Sequence, residues 1–308
     1  MGRYLSFHEE MQKQFGRKVY KLSLDAGMTC PNRDGRSGYG GCIFCDGGSG
    51  AFAARREISL QQQIEQAKER IRKKAGPCPA YMAYFQSYTN TYAPVERLEE
   101  LFIPVAARED ICALSIATRP DCLPVAVLDL LTRLNSMKPV FVELGLQTIH
   151  EKTAEYIRRG YPLEVFDRAV AELKQRQIPV VVHMILGLPG ETPEMIRQTA
   201  AYIGASGVQG IKLQLLHVLK GTDLAADYAA GKFSAMEMET YIQLLEDCLR
   251  LLPPQMVVHR LTGDGERAKL IAPLWSADKK RVLNAIWAAL ERDDVRQGQW
   301  YAARPENA

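Results

Sequence analysis

Three cysteines stand at a spacing that suits redox chemistry: Cys30, Cys42 and Cys45, with eleven residues between the first two and two between the last pair. They follow the strand-like run Val19–Asp25, in a loop crowded with Gly35, Gly38, Gly40, Gly41, Gly47, Gly48 and Gly50. Glycine permits tight turns and close backbone approach, and such turns can point N–H groups at an anion. Three thiolates on such a loop suit an iron–sulfur cluster that keeps one iron without a protein ligand. An iron of that kind is a place for a cofactor or substrate.

Other uses of three thiols have to be weighed. Nothing at the N-terminus resembles an export signal and the total of seven cysteines is odd, which argues against a disulfide. Zinc is the stronger rival, because Cys-x-x-Cys is a common half-site, yet structural zinc takes four ligands and no second pair follows at finger spacing. Cys78, Cys112, Cys122 and Cys248 lie far along the chain and read as small core residues.

Composition frames these residues. The chain has 308 residues, 47% hydrophobic and 24% charged, with a net charge of +3. That is a globular composition, and the charge alone does not argue for nucleic acid. No apolar run approaches a membrane span, so no membrane partner is expected, and reduced thiols point to the cytoplasm.

Strand-like runs (Val19–Asp25, Tyr81–Ser87, Ile111–Thr118, Val140–Leu146, Val180–Leu186, Ile211–Leu216) alternate with helical runs (Leu60–Lys74, Val95–Arg108, Pro124–Leu134, Leu163–Arg176, Thr192–Ala205). Strands separated by helices predict βαβ units and a parallel sheet covered by helices. Six units predict an α/β fold, a partial (βα)6 TIM-like barrel over 1–225. An extension over 226–308 should pack on it, with helices near Ala235–Leu252 and Ala277–Arg292 and a short Val257-Val258-His259 run between them. Working residues of such barrels gather at the C-terminal strand ends. Polar groups do recur there: Gln86-Ser87-Tyr88-Thr89-Asn90, Thr118-Arg119-Pro120-Asp121, Glu143 to Gln147, Gly187 to Thr192, and His217.

Taken together, the cysteine loop, Lys21-Leu22-Ser23-Leu24-Asp25, Tyr88-Thr89-Asn90-Thr91-Tyr92, Thr118-Arg119-Pro120-Asp121, Glu143-Leu144-Gly145-Leu146-Gln147 and Gly187-Leu188-Pro189-Gly190-Glu191-Thr192 resemble the radical S-adenosylmethionine (SAM) enzymes. In detail the chain is similar to the YhcC/YtqA group of MnmL-like tRNA wobble-uridine enzymes, relatives of the catalytic subunit of Elongator. Two features depart from the wider superfamily: the eleven-residue first spacing, shared with the Elongator-like branch, and Gln86-Ser87-Tyr88 where Gly-Gly-Glu is usual.

The resemblance implies a [4Fe–4S] cluster on Cys30, Cys42 and Cys45, SAM chelating its open iron, and a reductant such as flavodoxin or ferredoxin. One-electron cleavage of SAM would give a 5′-deoxyadenosyl radical. It places Phe44, Asn90, Arg119, Glu143, Gln147, His183 and Gly187 near SAM.

Several of these residues have plainer readings. Phe44 could equally cover core. A strand carboxylate such as Glu143 needs a partner when buried, either a ligand's ribose or amino group or an ion pair with Arg119. His183 could be a core histidine, and Thr192 a helix N-cap. The implied substrate is tRNA, with Tyr88 and Tyr92 stacking on a flipped wobble base. His217 and Lys220 would stand near that base, although loop polarity also explains them, and Lys279, Lys280 and Arg281 would meet phosphate. The implied reaction is loss of the carboxymethyl part of 5-carboxymethylaminomethyl-(2-thio)uridine, leaving 5-aminomethyl-(2-thio)uridine. A radical SAM enzyme for a small molecule or peptide, and a zinc-stabilised RNA-binding protein, remain the alternatives.

Overall fold

The computed structural model describes residues 2–47, 56–76, 78–263 and 265–302; Gly48 and Gly50 of the loop lie outside them. The chain runs α1 (Phe7–Phe15), β1 (Val19–Leu24), α2 (Leu60–Ile71), β2 (Ala80–Phe85), α3 (Val95–Ala106), β3 (Ile111–Thr118), α4 (Val125–Met137), β4 (Val140–Gln147), α5 (Glu151–Tyr156), α6 (Leu163–Gln175) and β5 (Val180–Leu186). It continues through α7 (Pro193–Ala205), β6 (Gly210–Leu215), β7 (Val218–Leu219), α8 (Asp223–Ala229), α9 (Met238–Leu251), β8 (Val257–Arg260), β9 (Leu270–Ala272) and α10 (Lys279–Arg292). Seven parallel strands, in the order β1-β2-β3-β4-β5-β6-β8, curl into a half-barrel with the helices outside.

The expected six strands are all present, and the short Val257-Val258 run supplies a seventh. It pairs in parallel with β6, Gly210 beside Val257 and Ile211 beside Val258. At four residues it carries too little periodicity to be read as a barrel strand from sequence.

Alternation along the strands separates two faces. Leu22, Leu24, Phe85, Leu114, Ile116, Val142, Leu144, Val182 and Leu213 face outward and join residues such as Ile64, Phe102, Leu131 and Phe166 of the helices in the main core. On the inner face, Val19, Met82, Ala113, Phe141 and Val181 form an apolar floor with Met11, and Phe7 of α1 packs against it. α1 is therefore a plug under the barrel; its start is fixed by a capping box between Ser6 and Glu9.

This plug is fastened by chain from the far end of the sequence. Leu5 Nα donates to Gln297 Oε1 at 2.8 Å, Gln297 Nα donates to Arg3 O at 2.9 Å, and Tyr4 stacks on Trp287 at 5.4 Å. Above the apolar floor the inner face changes character. Lys21, Ser115, Glu143, His183 and Lys212 occupy it, so the strands are apolar throughout only on the face the helices cover.

At the opposite end a small antiparallel ribbon, Val218 beside Ala272 and Leu219 beside Leu270, borders the mouth. A second apolar cluster there holds Ile43, Ile157, Leu188, Leu216 and Leu224. Ile43 Nα donates to Ile157 O at 3.2 Å and Ile43 O accepts from Leu224 Nα at 2.9 Å. The residue between Cys42 and Phe44 thus ties the cysteine loop to the rim. Among the described residues, no helix is long and apolar enough to cross a membrane.

Candidate functional site

The cysteine loop sits over the strand ends in a wrapped conformation. Arg33 Nα donates to Cys30 O at 2.8 Å, Gly41 Nα to Asn32 O at 2.8 Å, and Cys45 Nα to Cys42 O at 2.9 Å. Two side chains of the loop turn back onto sulfur: Asn32 Nδ2 lies 3.4 Å from Cys42 Sγ, and Arg33 Nη2 lies 3.3 Å from Cys45 Sγ. Gly41, at φ +86°, makes the second contact possible, since a Cβ there would stand 2.9 Å from Arg33 Nε. Burial first, then the neighbouring Cys45, pushes the Cys42 thiol up to about 11. A thiol in that position ionises when a metal supplies the opposing charge.

Among the described residues, no three His, Cys, Asp or Glu side chains converge on a single ion position. A cluster takes each thiolate at a different iron, so separated thiols facing one cavity suit it better than a mononuclear site does.

That cavity has two lobes. The first, about 250 Å3, is lined by Cys30, Cys42, Tyr88, Arg119, Glu143 and Arg159 among others. The second, about 290 Å3, is lined by Tyr84, Gln214, Leu216, His217 and Arg260. Phe44, Cys45, Gln86, Gln147 and His183 line both. Gln147 adopts φ +68°, and its Oε1 is buried without a hydrogen-bond partner. A Cβ on Gly145 would come within 2.9 Å of Gln147 Nε2, so the glycine makes room for that amide.

Arginines back the first lobe. Arg119 is clamped on Asp121 at 2.8 and 2.9 Å and donates to Arg159 O at 2.8 Å. Arg159, almost wholly buried, donates to Thr148 O at 2.6 Å, Tyr161 O at 2.9 Å and Glu151 Oε1 at 2.9 Å. Both guanidinium groups lie near the Tyr161 ring, at 5.2 and 4.9 Å.

Beneath the cavity, Glu143 is fully buried and both its oxygens are engaged. Oε1 accepts from Lys21 at 2.9 Å and Ser115 at 2.6 Å; Oε2 accepts from His183 Nε2 at 2.7 Å and from Lys212. Burial alone would raise this carboxyl, but Lys21, Lys212 and the His183 bond outweigh it and hold it well below the usual range. Burial, with Lys212 adding, brings His183 down to about 4, so its imidazole is neutral and Nε2–H donates to the carboxylate. Burial brings Lys212 down to about 7, with Glu143 opposing and Lys21 and Arg260 adding. Lys212 also donates to Tyr84 Oη at 2.8 Å.

The expected site residues fall into two groups. Phe44, Arg119, Glu143, Gln147, His183, Tyr88 and His217 line the cavity with the three cysteines. Glu143 does not pair with Arg119, whose partner is Asp121, and its saturated oxygens make it an anchor for cations more than a ligand contact.

The others lie elsewhere. Asn90 is buried, and its Nδ2 ties Phe85 O to Ala117 O at 3.0 and 2.9 Å, holding the ends of β2 and β3 together. Gly187, at φ +90°, turns beneath Met236, and Thr192 caps α7 through Met195 Nα at 3.3 Å. Tyr92 faces a separate groove under the Arg36 guanidinium, 5.5 Å away. Lys220, Lys279, Lys280 and Arg281 are exposed and line neither lobe.

Sequence reasoning gave no role to Asn32, Arg33, Arg159, Lys21, Tyr84 or Lys212. For Lys21 and Lys212 the signal was present, a cation within an otherwise apolar strand.

The comparisons agree with this geometry. Residues 30–203 match the model of the Radical SAM superfamily, and residues 208–292 match the Radical_SAM C-terminal domain.

The chain belongs to the radical SAM superfamily.

It is 44% identical over 307 residues to the uncharacterized protein YtqA of Bacillus subtilis, covering 99% of this chain and 95% of that one. It is 38% identical to protein YhcC of Escherichia coli, covering 89% and 87%. A tRNA uridine(34) acetyltransferase of Methanocaldococcus jannaschii is 23% identical over 82% of this chain and 53% of its own length. The solved Elp3 of Methanocaldococcus infernus, lacking its first 46 residues, superposes with a TM-score of 0.69 at 18% identity, over 91% of this chain and 64% of that one. This last likeness concerns the fold.

As a radical SAM enzyme the protein uses a [4Fe–4S] cluster and SAM. The residues present fit both: three thiols on one cavity wall, N–H donors at two sulfurs, and the buried, unpartnered Gln147 Oε1 as an acceptor toward a ligand.

Proposed function

We propose that this enzyme modifies the wobble uridine of tRNA, converting 5-carboxymethylaminomethyl-(2-thio)uridine to 5-aminomethyl-(2-thio)uridine. The observation that supports this most is the joined, two-lobed cavity, with all three cysteines on the first lobe and a space of about 290 Å3 beside it that shares Cys45. The first lobe suits the cofactor and the second one flipped base, since enzymes acting on a base take it out of the stack. Relatedness to a tRNA uridine(34) acetyltransferase supports uridine as that base.

With its cofactors bound, the site would supply a 5′-deoxyadenosyl radical that removes a hydrogen atom from the carboxymethyl CH2. The chain's own residues would bind and orient. Tyr88, at φ +61° and beside Arg33, lines the first lobe and not the second, so it would border the cofactor rather than the flipped base. Lys279, Lys280 and Arg281 open α10 at its positive end, where cations are disfavoured, so an external phosphate is a better account of them than the helix itself. A flavodoxin- or ferredoxin-like reductant would supply the electron.

Reduced enzyme, SAM and tRNA carrying 5-carboxymethylaminomethyl-uridine should yield deoxyadenosine and the aminomethyl nucleoside, read by mass analysis of digested tRNA. Unchanged tRNA, with deoxyadenosine formed only in the presence of an unrelated small molecule, would overturn the reading.

A further inference from the structure

The layer beneath the cavity holds more cations than its one carboxylate can balance. Lys21 and Lys212 both contact Glu143, and the neutral His183 supplies no charge. Of the two lysines, Lys212 is the deeper, with a side chain 3% exposed against 19% for Lys21. Giving up the Lys212 proton would leave Glu143 with one directly paired cation, Lys21. The route out is short: Lys212 Nζ donates to Tyr84 Oη at 2.8 Å, and Tyr84 lines the second lobe. Lys21 and Lys212 also stand over the Tyr84 ring, at 4.9 and 4.4 Å, where they stabilise negative charge on the phenol.

We propose that Lys212 and Tyr84 form a proton-delivery unit, in which Tyr84 protonates a nitrogen of the substrate held in the second lobe. This rests on the reading that a C–N bond of the uridine substituent is broken. As that bond breaks, its electron pair goes to nitrogen and the Tyr84 hydroxyl proton moves to the same atom, while a water molecule from the open cavity bonds its oxygen to the released carbon and gives a proton to solvent, so that the fragment departs as a hydroxy acid. The Lys212 ammonium then passes a proton to the phenolate oxygen and becomes a neutral amine, to be recharged from solvent between turnovers. No electron enters or leaves in this step. The groups facing Lys212 are Lys21 from β1, Tyr84 from β2, Ser115 from β3, Glu143 from β4, His183 from β5, and His259 and Arg260 from β8. Burial and these neighbours bring Lys212 down to about 7, which suits a donor working near neutrality.

The test uses the full chain with its cluster, SAM and the carboxymethylaminomethyl tRNA. Tyr84→Phe keeps the ring and its cations and removes only the hydroxyl. Its kcat should fall on the order of 10²-fold or more, with tRNA KM and SAM affinity by equilibrium dialysis unchanged. Wild-type kcat should decline as pH rises through about 7, because the donor must be protonated, and this limb should vanish in Tyr84→Phe and Lys212→Met. Wild-type turnover with Tyr84→Phe kcat within about threefold, or with the limb retained, overturns the unit. If the wild type leaves the tRNA unchanged, the functional reading fails separately. NMR titration of isotopically labelled lysines then decides whether the proton site exists. A midpoint near 7 that is absent from Lys212→Met and moves in Tyr84→Phe supports it; lysines titrating only in their ordinary range refute it.

Discussion

Replacing Glu143 by Gln tests the charge layer directly. The amide oxygen can still accept from Lys21 and Ser115, but the amide N–H2 then faces His183 Nε2–H and Lys212, donor against donor. Removing one partner of a buried ion pair costs about 3–5 kcal/mol. The lower end applies here, because Lys212, already down to about 7, sheds its proton near neutral pH and relieves part of the imbalance.

A loss of about 3 kcal/mol corresponds to a fall in Tm of about 4–5 °C for a chain of 308 residues. The pH dependence has a definite sign. Glu143 is depressed, so its contribution is present above the ordinary carboxylate range and is lost as pH falls. Lys212 is depressed from 10.5 to about 7, so keeping it charged costs the folded state most below 7 and progressively less as pH rises toward 10.5. The Glu143→Gln defect should therefore be larger at pH 6 than at pH 9, by differential scanning calorimetry of the anaerobic holoenzyme. A Tm within about 2 °C of wild type, or a defect that grows with pH, would refute the argument.

Three further outcomes follow from the geometry. Ala at Cys30, Cys42 or Cys45 should abolish iron loading and the 4Fe–4S absorbance, whereas Ala at Cys122 or Cys248 should cost only packing, about 1 kcal/mol by urea unfolding. Arg33→Met removes the donor 3.3 Å from Cys45 Sγ, which should shift the cluster's reduction potential to a more negative value in a spectroelectrochemical titration. Ser at Lys279, Lys280 and Arg281 together should flatten the dependence of log tRNA affinity on log salt by up to about three, and an unchanged slope would remove the phosphate assignment.

Strand and helix periodicity carried most of the fold into view, because each βα unit buries its own faces locally. β3 and β5 have the bounds the periodicity predicts, and Gly210–Leu215 differs by one residue. What escaped was set by long-range pairing. The Ser6–Glu9 capping box marks α1 plainly, yet nothing near it says that the helix closes a barrel floor built by other strands. Glu143 was legible as a carboxylate in need of partners. Its two cationic partners come from β1 and β6, and only the barrel's stagger brings Lys21 and Lys212 to the same carboxylate. That the three cysteines would share one cavity was legible from their spacing, and neighbouring Asn32 and Arg33 became informative once the loop was folded back on itself. Asn90 and Gly187 have the polarity and glycine content of ligand contacts, but the structure uses them to join strand ends and to turn under Met236.

The contact between Gln297 and residues 3–5 sets an order of events during synthesis. The plug helix leaves the ribosome early, but its fastening emerges almost three hundred residues later, so a nascent chain holds its cysteine loop above an unsealed floor. Until Gln297 is made, α1 is held without that fastening, by its packing on the floor of Val19, Met82, Ala113, Phe141 and Val181. A chain cut before Asp294 should accordingly melt at a lower temperature than the intact protein.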